Sequence, residues 1–555
     1  MKTHGLFRLG VRICLAALAT VASAAGTSST NAPSAAEPER LGAVSFPTSC
    51  TPSVQSSVNR GVALLHDFWY EESRPQFERI LKADPSCAIA HWGIAMSGFH
   101  QIWDRPDDKN MAAAWKELQA AQAHPAKTSR EREYITALGE FFKPGKEGYE
   151  SRIKAYAASM KTLYTHYPDD VDAGAFYALA LLAEKPTNDT SLTPEHKAMA
   201  ILTPLWRKYP DHPGLVHYII HACDNPSLAQ DGLAAARHYG EIAPSGPHAV
   251  HMPGHIFARL GMWQEDIDSN LASVEASRVA ETRHESGWMD QFHSDDFLVY
   301  AYLQSGQEAQ AKAVAAASAA EISHYESMPD MKSGNYMHGM FPYYRVKLPA
   351  FIALETRDWK AAAALDAGKA GTPESKLLVY WARTIANGRL HQARQARSDL
   401  AAYDAIIEEL KKGDQAWEAT STGRQIDRGV LLSWVAFAEG NTAESLRQMR
   451  ASADLQDKGG QGEVDIPARE MLGDQLLELG KPKEALVEYK QALTLSPNRF
   501  NGLFFAGRAA EAGGDSRQAR SYYAALLKST GNGIRSGRPE IAHAKAFVAT
   551  ASIAK

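Results

Sequence analysis

The stretch Pro213–Leu260, PGLVHYIIHACDNPSLAQDGLAAARHYGEIAPSGPHAVHMPGHIFARL, carries the same pattern twice. His217 and His221 form a pair with spacing i, i+4, and His251 and His255 form a second pair 34 residues later, since 251 − 217 = 34 and 255 − 221 = 34. The i, i+4 spacing places both rings of a pair on one face of a helix. A period of 34 residues is typical of a helix–turn–helix repeat. The stretch therefore predicts two consecutive helical repeats with a histidine pair at the same position in each.

Two further repeats with the same period lie near the C-terminus. Each contains a glycine in its first helix, a turn glycine, and then an alanine, a tyrosine and a leucine in its second helix. These residues are Gly473, Gly480, Ala485, Tyr489 and Leu493, followed 34 positions later by Gly507, Gly514, Ala519, Tyr523 and Leu527. Small residues let two helices approach and the aromatic ring fills the gap between them. Pro497 ends the first of these units, because proline cannot continue a helix. The pattern resembles the tetratricopeptide repeat family.

The resemblance extends, more loosely, over most of the chain. Gly61, Phe77 and Pro85 stand at the same offsets as the C-terminal repeat residues. It implies an all-α fold, a right-handed superhelical solenoid of about ten to twelve antiparallel helix pairs without a sheet. We expect this solenoid to run continuously from 46 to 550. Its predicted parts are an N-terminal part (46–210), a histidine-rich central part (211–345) and C-terminal repeats (346–550).

The N-terminus has the features of an export signal. Positive residues precede a short apolar run, Ile13–Val21, and the small residues Ala22 to Ala24 follow it. We therefore expect a signal peptide at 1–24, cleaved after Ala24, and a periplasmic or secreted protein. Residues 25–45 are rich in Ala, Ser, Thr and Pro, which predicts a disordered leader. No apolar run is long enough to span a membrane, and a net charge of −5 argues against nucleic-acid binding.

Three cysteines remain after the signal segment. Cys50 precedes the first helix and Cys87 follows the first repeat, so in an oxidising compartment they are candidates for a disulfide. Sequence alone does not test whether their geometry allows the bond. Cys223 lies between Ala222 and Asp224 on a helix. It is either a small buried apolar residue or a metal ligand or reactive thiol.

Polar residues occupy the positions that should face the groove of the solenoid. In the resembled family, positions 2, 5, 9, 12 and 13 of each first helix line the concave face, and Pro213 and Pro247 are position 1 here. The histidines at positions 5 and 9 are the metal-ligand candidates His217, His221, His251 and His255. The other candidate ligand-binding residues are Asp224, Asn225, His248 and Arg259, with His293 and Asp296 at positions 2 and 5 of the next helix.

The four paired histidines suggest a metal site. Helices packed about 8–10 Å apart allow facing side chains to converge, and four imidazoles could complete a tetrahedral shell around a divalent transition metal such as zinc or copper. Asp224 could orient a ring by accepting its second N–H. Pro253 either delays the start of its helix or kinks it. The alternative is a structural polar groove, with the second pair a product of duplication.

These observations leave three functions open. The first is an exported scaffold that binds a protein, peptide or small ligand in its concave groove, as members of the resembled family most often do. The second is a metal-dependent or histidine-based enzyme centred on the four paired histidines, and the third is metal handling without turnover. No HExxH motif surrounds either pair, so a zinc-protease site has no support.

Overall fold

The computed structural model describes residues 39–550, apart from 103–104, 187, 328–336, 414, 460–461 and 463. The side chains of residues 288–289 and 337–339 also lie outside the description. The described residues form helices joined by turns and contain no strand. The predicted all-α solenoid of helix pairs is therefore confirmed. The predicted signal peptide (1–24) and residues 25–38 of the predicted leader lie outside the described residues.

The helices follow one another with short connections. The N-terminal part contains α1 (Gln55–His66), α2 (Tyr70–Ala83), α3 (Ala88–Met96), α4 (Asp108–Ala123), α5 (Ser129–Phe142), α6 (Tyr149–His166), α7 (Val171–Ala183) and α8 (Thr193–Lys208). The central part contains α9 (Pro213–Cys223), α10 (Ala229–Ile242), α11 (Pro247–His251), α12 (Pro253–Leu260), α13 (Trp263–Thr282), α14 (Trp288–Gln304), α15 (Glu308–Ser327) and α16 (Met337–Glu355). The C-terminal repeats contain α17 (Trp359–Ala363), α18 (Pro373–Arg389), α19 (Ala393–Leu410), α20 (Ala416–Ala419), α21 (Thr422–Ala438), α22 (Thr442–Gly459), α23 (Ala468–Glu478), α24 (Pro482–Leu495), α25 (Phe500–Ala512), α26 (Ser516–Ser529) and α27 (Pro539–Thr550).

Successive helices pack in pairs, and each pair packs on the next. Among the described residues the pairs include α1–α2, α3–α4, α5–α6, α7–α8, α9–α10, α14–α15, α18–α19, α21–α22, α23–α24 and α25–α26. The short helices α11 and α12 together pack on α13 as one further pair. The predicted boundary between 345 and 346 is wrong as a structural division, because α16 runs through it without a break.

The glycine and aromatic positions of the repeat meet as the sequence predicts. A Cβ atom added to Gly473 would lie 2.9 Å from the ring of Tyr489, and one added to Gly507 would lie 2.5 Å from the ring of Tyr523. Gly61 has the same relation to Phe77, at 2.8 Å. These contacts leave no room for a larger residue, so glycine in the first helix sets how closely the second helix can approach.

The last residues of the predicted leader are ordered, which corrects the expectation for 39–45. Gly42 donates its backbone N–H to the carbonyl of Ile242 at 3.0 Å, and Ala43 donates to the carbonyl of Asp211 at 2.8 Å. Arg40 and Ser245 also exchange hydrogen bonds. These bonds hold the segment in an extended conformation across the ends of α8 to α11. Cross-chain backbone pairing replaces hydration here, and composition alone does not reveal it.

The three cysteines have different environments. Cys50 and Cys87 are joined as a disulfide, with their Cα atoms 4.8 Å apart, so the segment before α1 is attached to the start of α3. Cys223 is fully buried on α9 and its Sγ lies 3.7 Å from the sulfur of Met199. Burial raises the pKa of Cys223 to about 12, and an unreactive buried thiol follows from that value.

The C-terminal repeats pack back onto the central part. The indole N–H of Trp263 donates to the carbonyl of Asn498 at 2.8 Å, and the backbone N–H of Phe500 donates to the side chain of Gln304 at 2.9 Å. Arg499 is buried between them and forms ion pairs with Glu355 and Glu470 at 2.8 and 3.0 Å. These contacts attach the start of α25 to the connections that follow α12 and α14.

Candidate functional site: two groups of histidines

The helix that carries the second histidine pair is broken but keeps its direction. Pro253 has no N–H to donate, and α11 ends at His251 while α12 begins at Pro253. Met252 between them keeps helical dihedral angles, φ −53° and ψ −34°. His251 and His255 therefore still lie on one face. Of the two possibilities left open by the sequence, the structure shows a break within a continuing helix.

The first histidine group consists of His217, His221 and His248. Their candidate ligand nitrogens all lie within 4.8 Å of one another. The Nε2 atoms of His217 and His221 are 2.9 Å apart, and the ring of His248 lies 5.1 Å from that of His217, measured between centroids. The pair comes from α9 and the third ring from α11, the first helix of the following repeat.

The second histidine group consists of His251, His255 and His293, and its nitrogens also lie within 4.8 Å of one another. The Nε2 atoms of His251 and His255 are 2.9 Å apart. The ring of His293, on α14, lies 4.4 Å from that of His251. The four paired rings predicted to converge on one ion are thus divided between two groups, because each pair meets a third ring from the helix after it.

Hydrogen bonds at Nδ1 fix the tautomers of three of these rings. The Nδ1 of His217 lies 2.6 Å from the backbone carbonyl of His66, which can only accept. The Nδ1 of His255 lies 2.9 Å from a carboxylate oxygen of Asp224. In both rings the proton is therefore on Nδ1, and Nε2 presents a lone pair.

The tautomer of His251 is fixed by an amide whose orientation is itself determined. Asn270 uses its Nδ2 group to donate to the carbonyl and the carboxylate of Asp266, at 2.9 and 2.7 Å. Its Oδ1 atom is therefore the one that lies 2.7 Å from Nδ1 of His251 and accepts from it. His251, like His255, presents a lone pair at Nε2.

Two lone pairs consequently face each other across 2.9 Å between His251 and His255. Neither nitrogen has a proton to donate in the neutral ring, so the contact requires a cation between them. That cation is either a metal ion, which takes neutral imidazole nitrogens as ligands, or a proton that converts one ring to imidazolium. The hydrogen bonds at Nδ1 are those that orient metal-bound histidines in proteins.

Burial keeps the rings neutral. It lowers the pKa of His217 well below its usual value, with the neighbouring His221 and His248 adding to the effect. It lowers the pKa of His248 to about 3. His293 is partly exposed, yet burial, followed by the nearby His251 and His255, also lowers its pKa well below the usual value. Neutral rings are the form that binds metal.

A buried carboxyl group lies beside the first group. Asp290 has an oxygen 3.3 Å from Nδ1 of His248. Burial raises the pKa of Asp290 to about 7. Sequence reasoning did not select this residue, because it lies at the start of α14 outside the repeat positions used to choose groove residues.

The other predicted ligand-binding residues have several roles. Asp224 accepts from His255 as predicted, and its second oxygen accepts from Nε of Arg259 at 2.8 Å. Asn225 is used locally, since its Oδ1 accepts from the backbone N–H of Ser227 at 2.9 Å. Asp296 forms a buried ion pair with Lys347 beyond the second group. Arg259, Asn225 and Asp296 therefore support the site or its turns through contacts within the protein.

A third cluster behaves differently. His66 and His212 both direct Nε2 at one carboxylate oxygen of Asp172, at 3.0 and 3.2 Å, and Nδ1 of His66 contacts the hydroxyl of Tyr218 at 2.9 Å. Donors face an acceptor in this cluster, so its contacts are complementary without an added ion. The cluster is fully buried and links α1, α7 and α9.

Asn270 is the residue that sequence reasoning missed with a signal available. It lies 16 residues after Gly254, the interval that separates Gly473 from Tyr489, because 254 + 16 = 270 and 473 + 16 = 489. The repeat normally has its aromatic residue there. A fully buried asparagine in that place, facing a histidine helix, indicates a polar function for the position.

No helix among the described residues combines the length and the hydrophobicity needed to cross a bilayer.

Comparison with known proteins agrees with the repeat assignment. The profile of the family described as tetratricopeptide repeat matches residues 466–499, so the chain contains a tetratricopeptide repeat there. A solved structure described as a human IFIT1 dimer with m7Gppp-AAAA is similar at 11% identity and a TM-score of 0.36, over 80% of this chain and 90% of that chain. A structure of Naa15/Naa10 bound to HypK-THB is similar at 13% identity and a TM-score of 0.22, over 85% of this chain and 70% of that chain. No curated protein matches the chain.

Proposed function

We propose that this protein is an exported metal-binding scaffold. A solenoid of tetratricopeptide-like repeats would hold a divalent transition metal such as zinc or copper between paired histidines on its concave face. The same face would bind a protein, peptide or small ligand, and the signal segment ending at Ala24 would direct the chain to the periplasm or the exterior.

The observation that carries the proposal is the contact between His251 and His255. Their Nδ1 protons are committed to Asn270 and Asp224, and their Nε2 lone pairs lie 2.9 Å apart. Nitrogens at this separation can both lie at about 2.0–2.1 Å from a common point, which is the usual metal–imidazole distance. A structural polar groove would instead pair donors with acceptors, as the cluster of His66 with Asp172 does.

The donor set determines the class of metal. Imidazole nitrogens suit zinc, copper, iron and nickel, whereas magnesium and calcium prefer oxygen ligands. Each histidine group offers three nitrogens. The carboxylate nearest the second group, Asp224, is bonded to His255 through Nδ1 and to Arg259, so it orients a ligand and balances charge.

The repeat scaffold itself is consistent with protein binding. Stacked helix pairs of this kind present a continuous concave surface that is suited to an extended partner. A metal ion on that surface would supply a fixed positive charge for recognising an acidic or histidine-containing partner. The partner's identity is set by side chains along the groove and not by the repeat pattern.

A metal-dependent enzyme is the second candidate, and one observation favours it. Catalytic zinc sites commonly have three protein ligands and one position open to water or substrate, and each group here has three histidines. This candidate predicts hydrolysis of an ester, phosphoester or peptide substrate that disappears with chelator and returns with metal. Metal binding without any such turnover would leave the scaffold function.

Metal analysis of the mature protein tests the proposal. The protein is stripped with chelator, incubated with zinc or copper, passed through a desalting column and analysed by mass spectrometry of the metal. We expect stoichiometric retention by the wild type and reduced retention by the double variant His251→Ala/His255→Ala. His238→Ala is the matched control, because His238 is a surface histidine that contacts Asp211 at 3.3 Å. Equal retention by wild type and the double variant would refute the proposal.

A further inference from the structure

We infer that the histidines form two separate metal sites, related by the repeat, each made of three histidines and each binding one divalent transition metal. The first site is the first histidine group and the second site is the second histidine group. This inference rests on the proposed metal-binding function and specifies its stoichiometry, its ligands and its open coordination positions.

The repeat produces the same ligand arrangement twice. In each site two ligands are at positions 5 and 9 of a first helix, which are His217 and His221 in one case and His251 and His255 in the other. The third ligand in each case is at position 2 of the following first helix, His248 or His293. Because adjacent repeats stack with similar geometry, a site formed between one pair of repeats is formed again between the next pair.

The distances favour two sites over one site with four ligands. A tetrahedral ion bound at 2.0–2.1 Å places its ligand nitrogens ~3.3 Å from one another. Within each pair the Nε2 atoms are 2.9 Å apart, and all three nitrogens of each group lie within 4.8 Å. The four paired histidines do not form one such group among the described residues. Small movements of the side chains complete either site separately.

Each site also has its own anchoring acceptors. His217 is held by the carbonyl of His66, which belongs to α1. His251 and His255 are held by Asn270 on α13 and by Asp224 after α9. Since these anchors lie on different helices, loss of one set should leave the other site intact.

The ligand set also indicates what completes each site. Three neutral nitrogens leave the full charge of a divalent ion uncompensated and leave at least one coordination position open. The class of ligand that satisfies both requirements is a small oxygen or nitrogen donor, such as water, hydroxide or an anion. Cobalt substitution makes this measurable, because addition of azide changes the visible absorption of a cobalt site that has an open position.

Two half-buried ligands provide a discriminating test, since their truncation disturbs the core least. The chelator-stripped mature protein is titrated with zinc, and retained metal is counted after desalting. Two sites predict two zinc ions in the wild type, one in His221→Ala and one in His293→Ala. They also predict that azide changes the spectrum of the cobalt-loaded protein.

A single site made of the four paired histidines predicts a different pattern. The wild type would then retain one zinc ion, His221→Ala would retain none, and His293→Ala would retain one. That pattern would overturn the two-site inference and leave the proposed function standing. No retention by the wild type would overturn both. Circular dichroism confirms that each variant is folded, and His248→Gln, which keeps a side chain of similar size, replaces His221→Ala if that variant is unfolded.

Discussion

Removal of the carboxylate of Asp224 should weaken metal binding at the second site alone. One oxygen of Asp224 lies 2.9 Å from Nδ1 of His255, and the other accepts from Arg259 at 2.8 Å. Without the carboxylate, His255 loses the bond that fixes its tautomer and ring orientation. Loss of such a partner typically costs 10–100-fold in metal affinity, which is about 1.4–2.7 kcal/mol.

The loss should be selective and should have two components. Arg259 is almost completely buried, so Asp224→Ala also leaves its guanidinium without that ion pair and destabilises the fold, by about 3–5 kcal/mol for a fully buried pair. Asp224→Asn keeps an oxygen that can accept from His255, so its effect on affinity should be smaller. Affinity is therefore measured by calorimetric titration well below the unfolding temperature of each variant.

The control is Asp211→Ala, which removes a carboxylate that contacts His238 at the surface, 63% exposed. We expect Asp211→Ala to bind like the wild type, and Asp224→Ala to show one unchanged and one weakened site. Unchanged affinity at both sites in Asp224→Ala would refute the assignment of Asp224 as the residue that orients His255.

Three further predictions follow from other parts of the chain. The mature protein should begin after Ala24, and N-terminal sequencing of exported material that starts at Met1 would contradict the signal assignment. Cys50→Ser should lower the melting temperature, because the bridge to Cys87 closes a loop of 37 residues and such a loop stabilises by at most about 4 kcal/mol; free thiols at both positions in non-reducing mass spectrometry would exclude the bridge. Burial lowers the pKa of His66 from 6.5 to about 4, so the unfolded chain binds the extra proton first and the free energy of unfolding should fall as the pH decreases from 6.5 to 4, by about 3 kcal/mol. Denaturant titrations across this range should show a shallower fall for His66→Asn, and parallel curves would contradict the assignment.

The sequence was sufficient for the fold because local rules and the repeat rule agree. The 34-residue period sets the helix pairs, and Gly473 facing Tyr489 shows why the period is visible. The packing of Asn498 and Arg499 against the central part was not predictable in the same way. It depends on rotation accumulated over many repeats, and small differences in each repeat determine whether distant repeats meet.

The candidate site was predictable in part. Spacing identified the paired histidines and the role of Asp224, since both depend on neighbouring positions of one repeat. The division into two groups depends on the offset between adjacent helices, which places His248 and His293 beside different pairs. Sequence spacing does not give that offset. Asn270 could have been found, because a polar residue in an aromatic position of the repeat is a departure that the sequence displays.

The burial of the rings also revises one expectation about pH. Histidines with ordinary pKa values would lose metal below about pH 6. The pKa of His248 is lowered to about 3, and that of His217 lies well below its usual value. Protonation therefore competes with metal only under more acidic conditions than exposed histidines would require.

Anomalous X-ray scattering from crystals of the zinc-loaded protein tests the central claim most directly. Data collected on both sides of the zinc absorption edge locate the metal without reference to the protein coordinates. We predict one peak between the Nε2 atoms of His251 and His255 and a second between those of His217 and His221, each about 2.0–2.1 Å from its nitrogens. An ordered site without a peak, with the two rings of each pair still in contact, would show that a proton and not a metal occupies the space between them and would contradict the account.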